Sequence, residues 1–136
     1  MDRNVGLRID QKQAYVIADR DRTIDVILSN LEPPAHYSGG TQLGGKQNQK
    51  ADAEFRKSGR FRLQLKKYYQ QVISALKDAS SIVIMGPGEA KLEFEKAIRK
   101  YKTMQERILK VETTDKMTKN QMIAYVRKFY QNRPLT

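Results

Sequence analysis

The chain contains no cysteine. Disulfides and thiolate metal sites are therefore excluded, while the redox compartment stays open. Its one histidine, His36, argues against both a zinc site and a Ser-His-Asp relay. No apolar run approaches the roughly 18 residues needed to span a bilayer. The N-terminal "MDRNVGLRID" has no secretory apolar core, so a cytoplasmic protein is expected. Acidic residues are few: 15 Asp and Glu stand against 26 Lys and Arg, a net charge of +11. That imbalance predicts a polyanionic partner, nucleic acid first and an anionic membrane surface second. A length of 136 residues suits one domain covering 1–136 and would cramp two.

What is present reads as an α/β chain. "NVGLRID", "QAYVIAD" and "TIDVILSNL" are short β-like runs joined by short links, which predicts an antiparallel meander. In the second run Ala14, Val16 and Ala18 alternate with Tyr15 and Ile17, so both faces are expected to be covered. "EPPAHY" ends the meander, since two prolines cannot continue a ladder. A long helix should follow, with Phe61, Leu65, Tyr68, Tyr69, Val72, Ile73 and Leu76 on one face and Gly59 weakening its start. "SIVIMG" suits a strand buried on both sides. "GPGE" should turn it into a helix, with Pro87 at the first helical position, Glu89 in the first turn, and Ala90, Phe94, Ala97, Ile98 and Tyr101 on one face. "RILKVET" is a fifth strand. Thr118 and Gln121 form a capping box opening a last helix, with Met122, Ile123, Val126 and Tyr130 inward. The order βββαβαβα predicts a mixed five-stranded sheet in the order 3-2-1-4-5, an RNase H-like architecture.

Half of the eight glycines fall in "HYSGGTQLGGKQNQK", residues 36–50, together with three glutamines and no acid. Composition predicts a flexible glycine-rich loop, and a long loop inside a compact domain is commonly functional. Gly40 to Lys46 spells G-x-x-x-x-G-K, but a phosphate-binding loop needs Ser or Thr next and a buried strand before. Here Gln47 follows and "EPPAHYSG" precedes. Glycine pairs free the backbone, and glutamine offers an uncharged donor and acceptor. That pairing suits placement of a water molecule in a crowded RNA cavity, where a carboxylate would be repelled.

From Lys50 to Lys67 the chain carries Lys50, Arg56, Lys57, Arg60, Arg62, Lys66 and Lys67 against Asp52 and Glu54. A solvated helix face is one explanation. Contact with RNA phosphates is favoured, because the run abuts an acid-free loop in a basic chain. Interleaved aromatics are few (Phe55 and Phe61, with Tyr68 and Tyr69 later), which points to phosphate contact rather than base stacking. An alternative is a magnesium nuclease using clustered acids. Asp10 and Glu54 could serve it, but a third ligand is missing, since Glu89 lies beyond a turn and Glu112 and Asp115 follow the last strand. Otherwise Asp10 belongs to a turn and Glu54 to a solvated face. "GPGEAK" could offer amides to an anion, or simply cap its helix. No cofactor or metal is expected.

The strand-loop-helix unit with Gly-Gly and Gln in its loop, then a basic helix, resembles the middle domain of eukaryotic and archaeal peptide chain release factors. "SSIVIMGPGEAKLEFEKAI" and "VETTDKMTKNQMIAYVRKFY" are similar to the bacterial proteins of the archaeo-eukaryotic release factor superfamily, often labelled translational machinery proteins. The likeness covers nearly the whole chain, and its later half is the more specific part. It implies a loop that enters the peptidyl transferase centre and promotes attack of water on the ester joining peptide to tRNA. Carried onto this sequence, it assigns that role to Gly39, Gly40 and Gln42 of "GGTQ". The extra residue before the glutamine resembles the variant loop of ribosome-quality-control peptidyl-tRNA hydrolases. Gly44, Gly45 and Gln47, as "GGKQ", are the second choice. The cations from Lys46 to Lys67 would hold rRNA or tRNA phosphates. The expected partners are thus the ribosome, through rRNA and peptidyl-tRNA, and no membrane. Release factors carry further domains for stop codons and for a GTPase. This chain is expected to lack both and to select ribosomes by a stalled or split state, or through a partner protein. Pelota-like relatives keep the fold without the motif, so a non-catalytic RNA-binding module stands as the alternative.

Overall fold

The computed structural model describes residues 3–31 and 58–132. Its strands are β1 (Asn4–Ile9), β2 (Gln13–Ala18), β3 (Thr23–Leu28), β4 (Ser81–Gly86) and β5 (Ile108–Thr113). Its helices are α1 (Gly59–Ala75), α2 (Ala90–Ile98), α3 (Lys102–Gln105) and α4 (Lys119–Gln131). The strands form one mixed sheet in the order β3-β2-β1-β4-β5. β1 pairs antiparallel with β2, and β2 with β3, while β1–β4 and β4–β5 are parallel. Both the strand order and the strand directions agree with the expectation from sequence.

The alternation of apolar residues decides what covers each face. Val5, Leu7, Ile9, Ala14, Val16, Ile82 and Ile84 turn to one side and meet α1, α2 and Met104 in the larger core. Ile17 and Met85 turn to the other and meet Met122 and Val126 of α4. β4 is buried on both faces, as its unbroken apolar run requires. Gly6 of β1 lies under α4: a Cβ there would come within 2.2 Å of Val126 Cγ2, so the missing side chain sets how close this helix can pack. Tyr130 closes the contact by donating its hydroxyl to the Val5 carbonyl at 2.7 Å.

Helix starts follow local chemistry. Ser58 caps α1, its Oγ accepting from the Phe61 amide at 3.2 Å, a contact of about 1 kcal/mol. The Thr118–Gln121 capping box opens α4, with both reciprocal bonds present. α1 buries the expected stripe: Phe61, Tyr68, Tyr69, Val72, Ile73 and Leu76 are inside and Leu65 is half-buried.

The helix after β4 departs from expectation at both ends. Pro87 is not its first residue. Gly88 has a φ of 64°, which no helix contains, so the chain turns there and α2 begins at Ala90 with Glu89 as its N-cap. At the other end α2 stops at Ile98 and Tyr101 becomes the extended N-cap of α3. Tyr101 is therefore not on the inward face with Phe94 and Ile98 but 47% exposed.

Candidate functional site

One edge of the sheet gathers most of the residues with chemical potential. β1 turns back into β2 while β4 leads away towards β5, so the carboxyl ends of these two parallel strands diverge and leave a crevice between them. Open α/β sheets offer ligand sites at such places. The crevice holds about 640 Å3, with Arg8, Asp10 and Tyr15 on one wall and Pro87, Gly88 and Glu89 on the other. The amino-terminal ends of α1 and α2 lie on the same edge. Tyr68 of α1 reaches it, donating its hydroxyl to the Asp10 carbonyl at 2.8 Å. The end of β3 lies there too, since Leu28 is paired with Gln13 and the Ser29 amide donates to the Lys12 carbonyl at 2.9 Å. The end of β3 and the start of α1 thus lie at a common edge.

Within the crevice Asp10 is occupied by its own turn. Oδ1 accepts from the Lys12 amide at 2.7 Å and the Gln13 amide at 2.9 Å, the local geometry that favours Asp in turns. Oδ2 accepts from Arg8 at 3.2 Å. Arg8 is buried on the α4 side of β1, with its guanidinium 5.9 Å from the centre of the Tyr15 ring and Nε without a partner. Removing Asp10 would leave that buried cation uncompensated. These bonds support the turn role of Asp10 over a metal-ligating one. Glu89 is exposed at the start of α2, Asp115 is exposed, and Glu112 is engaged elsewhere. The Lys110 ammonium and the Tyr125 hydroxyl both bond to Glu112 and hold its carboxyl below the usual range. Among the described residues no group of three His, Cys, Asp or Glu is placed to hold a metal ion. Glu54 lies outside the described residues. Around "GPGEAK", Lys91 is buried and its ammonium donates to the Gly88 carbonyl, so the cation closes the turn. α2 has no side-chain cap.

The basic stretch divides into two groups once it is folded. Arg60 and Lys67, seven residues apart, lie on the outer stripe of α1, whereas Arg62 and Lys66, four apart, flank the buried stripe on the side of α2. All four are exposed. None enters the ion pairs found among the described residues, which are Arg8–Asp10, Arg99–Glu95 and Lys110–Glu112. The remaining expected site residues, Gly39, Gly40, Gln42, Lys46, Gln47, Lys50, Arg56 and Lys57, lie outside the described residues.

Between α1 and α2 lies a second hollow of about 610 Å3, reached by Arg62, Lys66 and Lys100. Tyr69 crosses its floor. The ring stands edge-on to Phe94, with centroids 5.8 Å apart, and the hydroxyl donates to Glu93 Oε1 at 2.8 Å. Burial, then the bond to Glu93, raises the Tyr69 hydroxyl above its ordinary value, so it remains a donor at neutral pH. Lys100 and Tyr101 were not among the residues expected to meet RNA. The two basic residues Arg99 and Lys100 at the end of α2 were the available sign that the helix stops there.

No family model matches the chain, and a search of curated proteins returns no match. Among the described residues no helix is long and apolar enough to cross a membrane.

Proposed function

We propose that the protein is a ribosome-associated rescue domain, acting in the cytoplasm, that promotes hydrolysis of the peptidyl-tRNA ester through its Gly-Gly-x-Gln segment. The observation that carries this proposal is the shared edge. β3 ends and α1 begins on the side where β1 and β4 end, and α1 carries exposed cations there that enter none of the ion pairs found among the described residues. A segment rooted in that way can be carried to a reaction centre by a rigid body that grips RNA phosphates beside it. The net charge of +11 supports an RNA partner, and the strand order agrees with the RNase H-like architecture expected of release factor middle domains.

In this mechanism Gln42 orients the attacking water by hydrogen bonds. Gly39 and Gly40 let the backbone approach the ester without side-chain bulk. Arg60, Arg62, Lys66 and Lys67 hold phosphate oxygens, and Lys46, Lys50, Arg56 and Lys57 extend that contact along the sequence. The water adds to the ester carbonyl, the tRNA 3′ oxygen leaves with a proton, and the peptide acid is freed. No acid or metal of the domain is needed, because positioning and RNA groups supply the rest.

The test is peptide release from stalled ribosomes carrying labelled peptidyl-tRNA. Wild-type protein is expected to free the peptide, Gln42→Ala to slow release by about 100-fold or more, and Gln47→Ala to leave it nearly unchanged. Loss with Gln47→Ala alone moves the role to the second glutamine. Full activity in both variants removes the glutamine mechanism, and ribosome binding without release in the wild type makes the domain a non-catalytic module.

A further inference from the structure

We infer that the groove between α1 and the α2–α3 corner binds a short stretch of single-stranded RNA, with Tyr101 stacking on a base and Arg62, Lys66, Lys77 and Lys100 contacting its phosphates. The inference deepens the proposed function and rests on its RNA partner.

Two hollows make one groove. The hollow reached by Arg62 and Lys66 is continued by another of about 430 Å3 that ends at Lys77 and Arg107, and both are lined by Gln70, Ile73 and Tyr101. From Arg62 to Lys77 the groove follows α1 for about 20 Å. It begins near the amino-terminal end of α1 and runs to the opposite edge of the sheet. The Ala79–Ser80 end of that path is fixed by the Ser80 amide, which donates to the Arg3 carbonyl at 2.8 Å.

Charge selects the class of occupant. Arg62, Lys66, Lys77 and Lys100 are exposed and none takes part in the ion pairs of the described residues. Arg107 is committed to the fold, donating through one nitrogen to the Lys77 and Ala79 carbonyls at 2.7 and 3.2 Å. Among the described residues the acid lining the hollows is Glu93, whose Oε1 accepts from the Tyr69 hydroxyl at 2.8 Å. Four exposed cations along about 20 Å, against one lining carboxylate among the described residues, fit a polyanion. They do not fit an acidic peptide as well, because the groove also exposes an aromatic ring at its centre.

Tyr101 selects the form of that polyanion. Its ring is half-exposed because α2 ends three residues earlier, and it borders both hollows. A phenol ring beside a cationic track is the arrangement on which unpaired bases stack. A duplex hides its bases and cannot use the ring. The length suits the low end of single-strand site sizes, about four nucleotides.

The probe is a fluorescent mixed-sequence single-stranded oligoribonucleotide, with anisotropy measured on the isolated full chain over a salt series. Wild-type protein should prefer it to the same sequence as a duplex. Tyr101→Ala should weaken binding by about 5- to 150-fold, and Tyr101→Phe should restore it, since the ring is retained. Circular dichroism of Tyr101→Ala guards against loss of the fold. Lys66→Gln with Lys100→Gln should make the slope of log affinity against log salt shallower by about 1.4, from two lost phosphate contacts at about 0.7 each. Lys119→Gln with Lys128→Gln, on α4 across the sheet, makes the same charge change and should leave the slope as in wild type. Equal binding by Tyr101→Ala, a duplex preference, or an equal loss in the α4 variant overturns the inference. Failure is separable from failure of the rescue proposal. Oligonucleotide binding without peptide release keeps the groove and removes the ester chemistry, whereas release with unchanged Tyr101→Ala binding does the reverse.

Discussion

Phe94→Ala is expected to lower the unfolding free energy by about 3–5 kcal/mol, read as a fall in the urea midpoint. Phe94 is a fully buried side chain of α2 in the core cluster that joins that helix to the sheet and α1. Its ring receives Tyr69 edge-on, and the next residue back, Glu93, accepts the Tyr69 hydroxyl. Truncation removes the burial and leaves a cavity between three elements that are each fixed by the sheet. Stabilities of domains this size are about 5–15 kcal/mol, so the loss is a large share of the whole. Tyr69→Phe separates the two parts of the contact. It keeps the ring and removes only the hydrogen bond, so it should cost about 1 kcal/mol. Because Tyr69, which packs on Phe94, and Glu93 line the groove, Phe94→Ala should also weaken oligonucleotide binding under conditions where it remains folded.

Gly86→Ala is expected to cost about 3 kcal/mol or more, at or above the upper end of ordinary overpacking. Gly86 is the last residue of β4, and its carbonyl accepts from the Thr114 amide at 3.1 Å. A Cβ at this position would fall 2.3 Å from the Ile9 carbonyl oxygen. That neighbour is backbone at the end of the adjoining strand, so it cannot swing aside as a side chain can. The ends of β1 and β4 would have to separate, which distorts the crevice and the turn into α2 together. A urea titration of the variant measures the cost. Stability equal to wild type would mean that the two strand ends are not held this closely.

The fold was legible because its signals are local. Alternation in "QAYVIAD" and "TIDVILSNL", the uninterrupted "SIVIMG", and the Thr118–Gln121 box each specify an element from a few adjacent residues. Short links and two crossovers of one hand then leave little choice of strand order. The errors arose where a periodic pattern ran past a real boundary. Tyr101 keeps helical spacing with Phe94 and Ile98, but the chain breaks at Arg99–Tyr101 and the ring turns outward. Pro87 was assigned to a helix that the positive φ of Gly88 delays.

The site was legible only in part, for a different reason. Arg62 and Lys66 stand out in a contiguous basic run, but Lys77 and Lys100 are 23 positions apart in the chain. Nothing except the packing of α1 against α2 brings their stretches of chain along one groove. The role of Asp10 likewise could not be read from its position at the end of a strand. A free carboxylate and a turn-closing one look alike in sequence, and only the Lys12, Gln13 and Arg8 bonds distinguish them.

The proposed function requires that this basic protein dock on ribosomal RNA through phosphate contacts. Co-sedimentation with purified ribosomes over a salt series tests it directly. The protein should pellet with ribosomes at low salt and be released progressively as salt rises, with a slope set by the number of phosphates engaged. A protein that stays in the supernatant at low salt, or that pellets equally at every salt concentration, would contradict it.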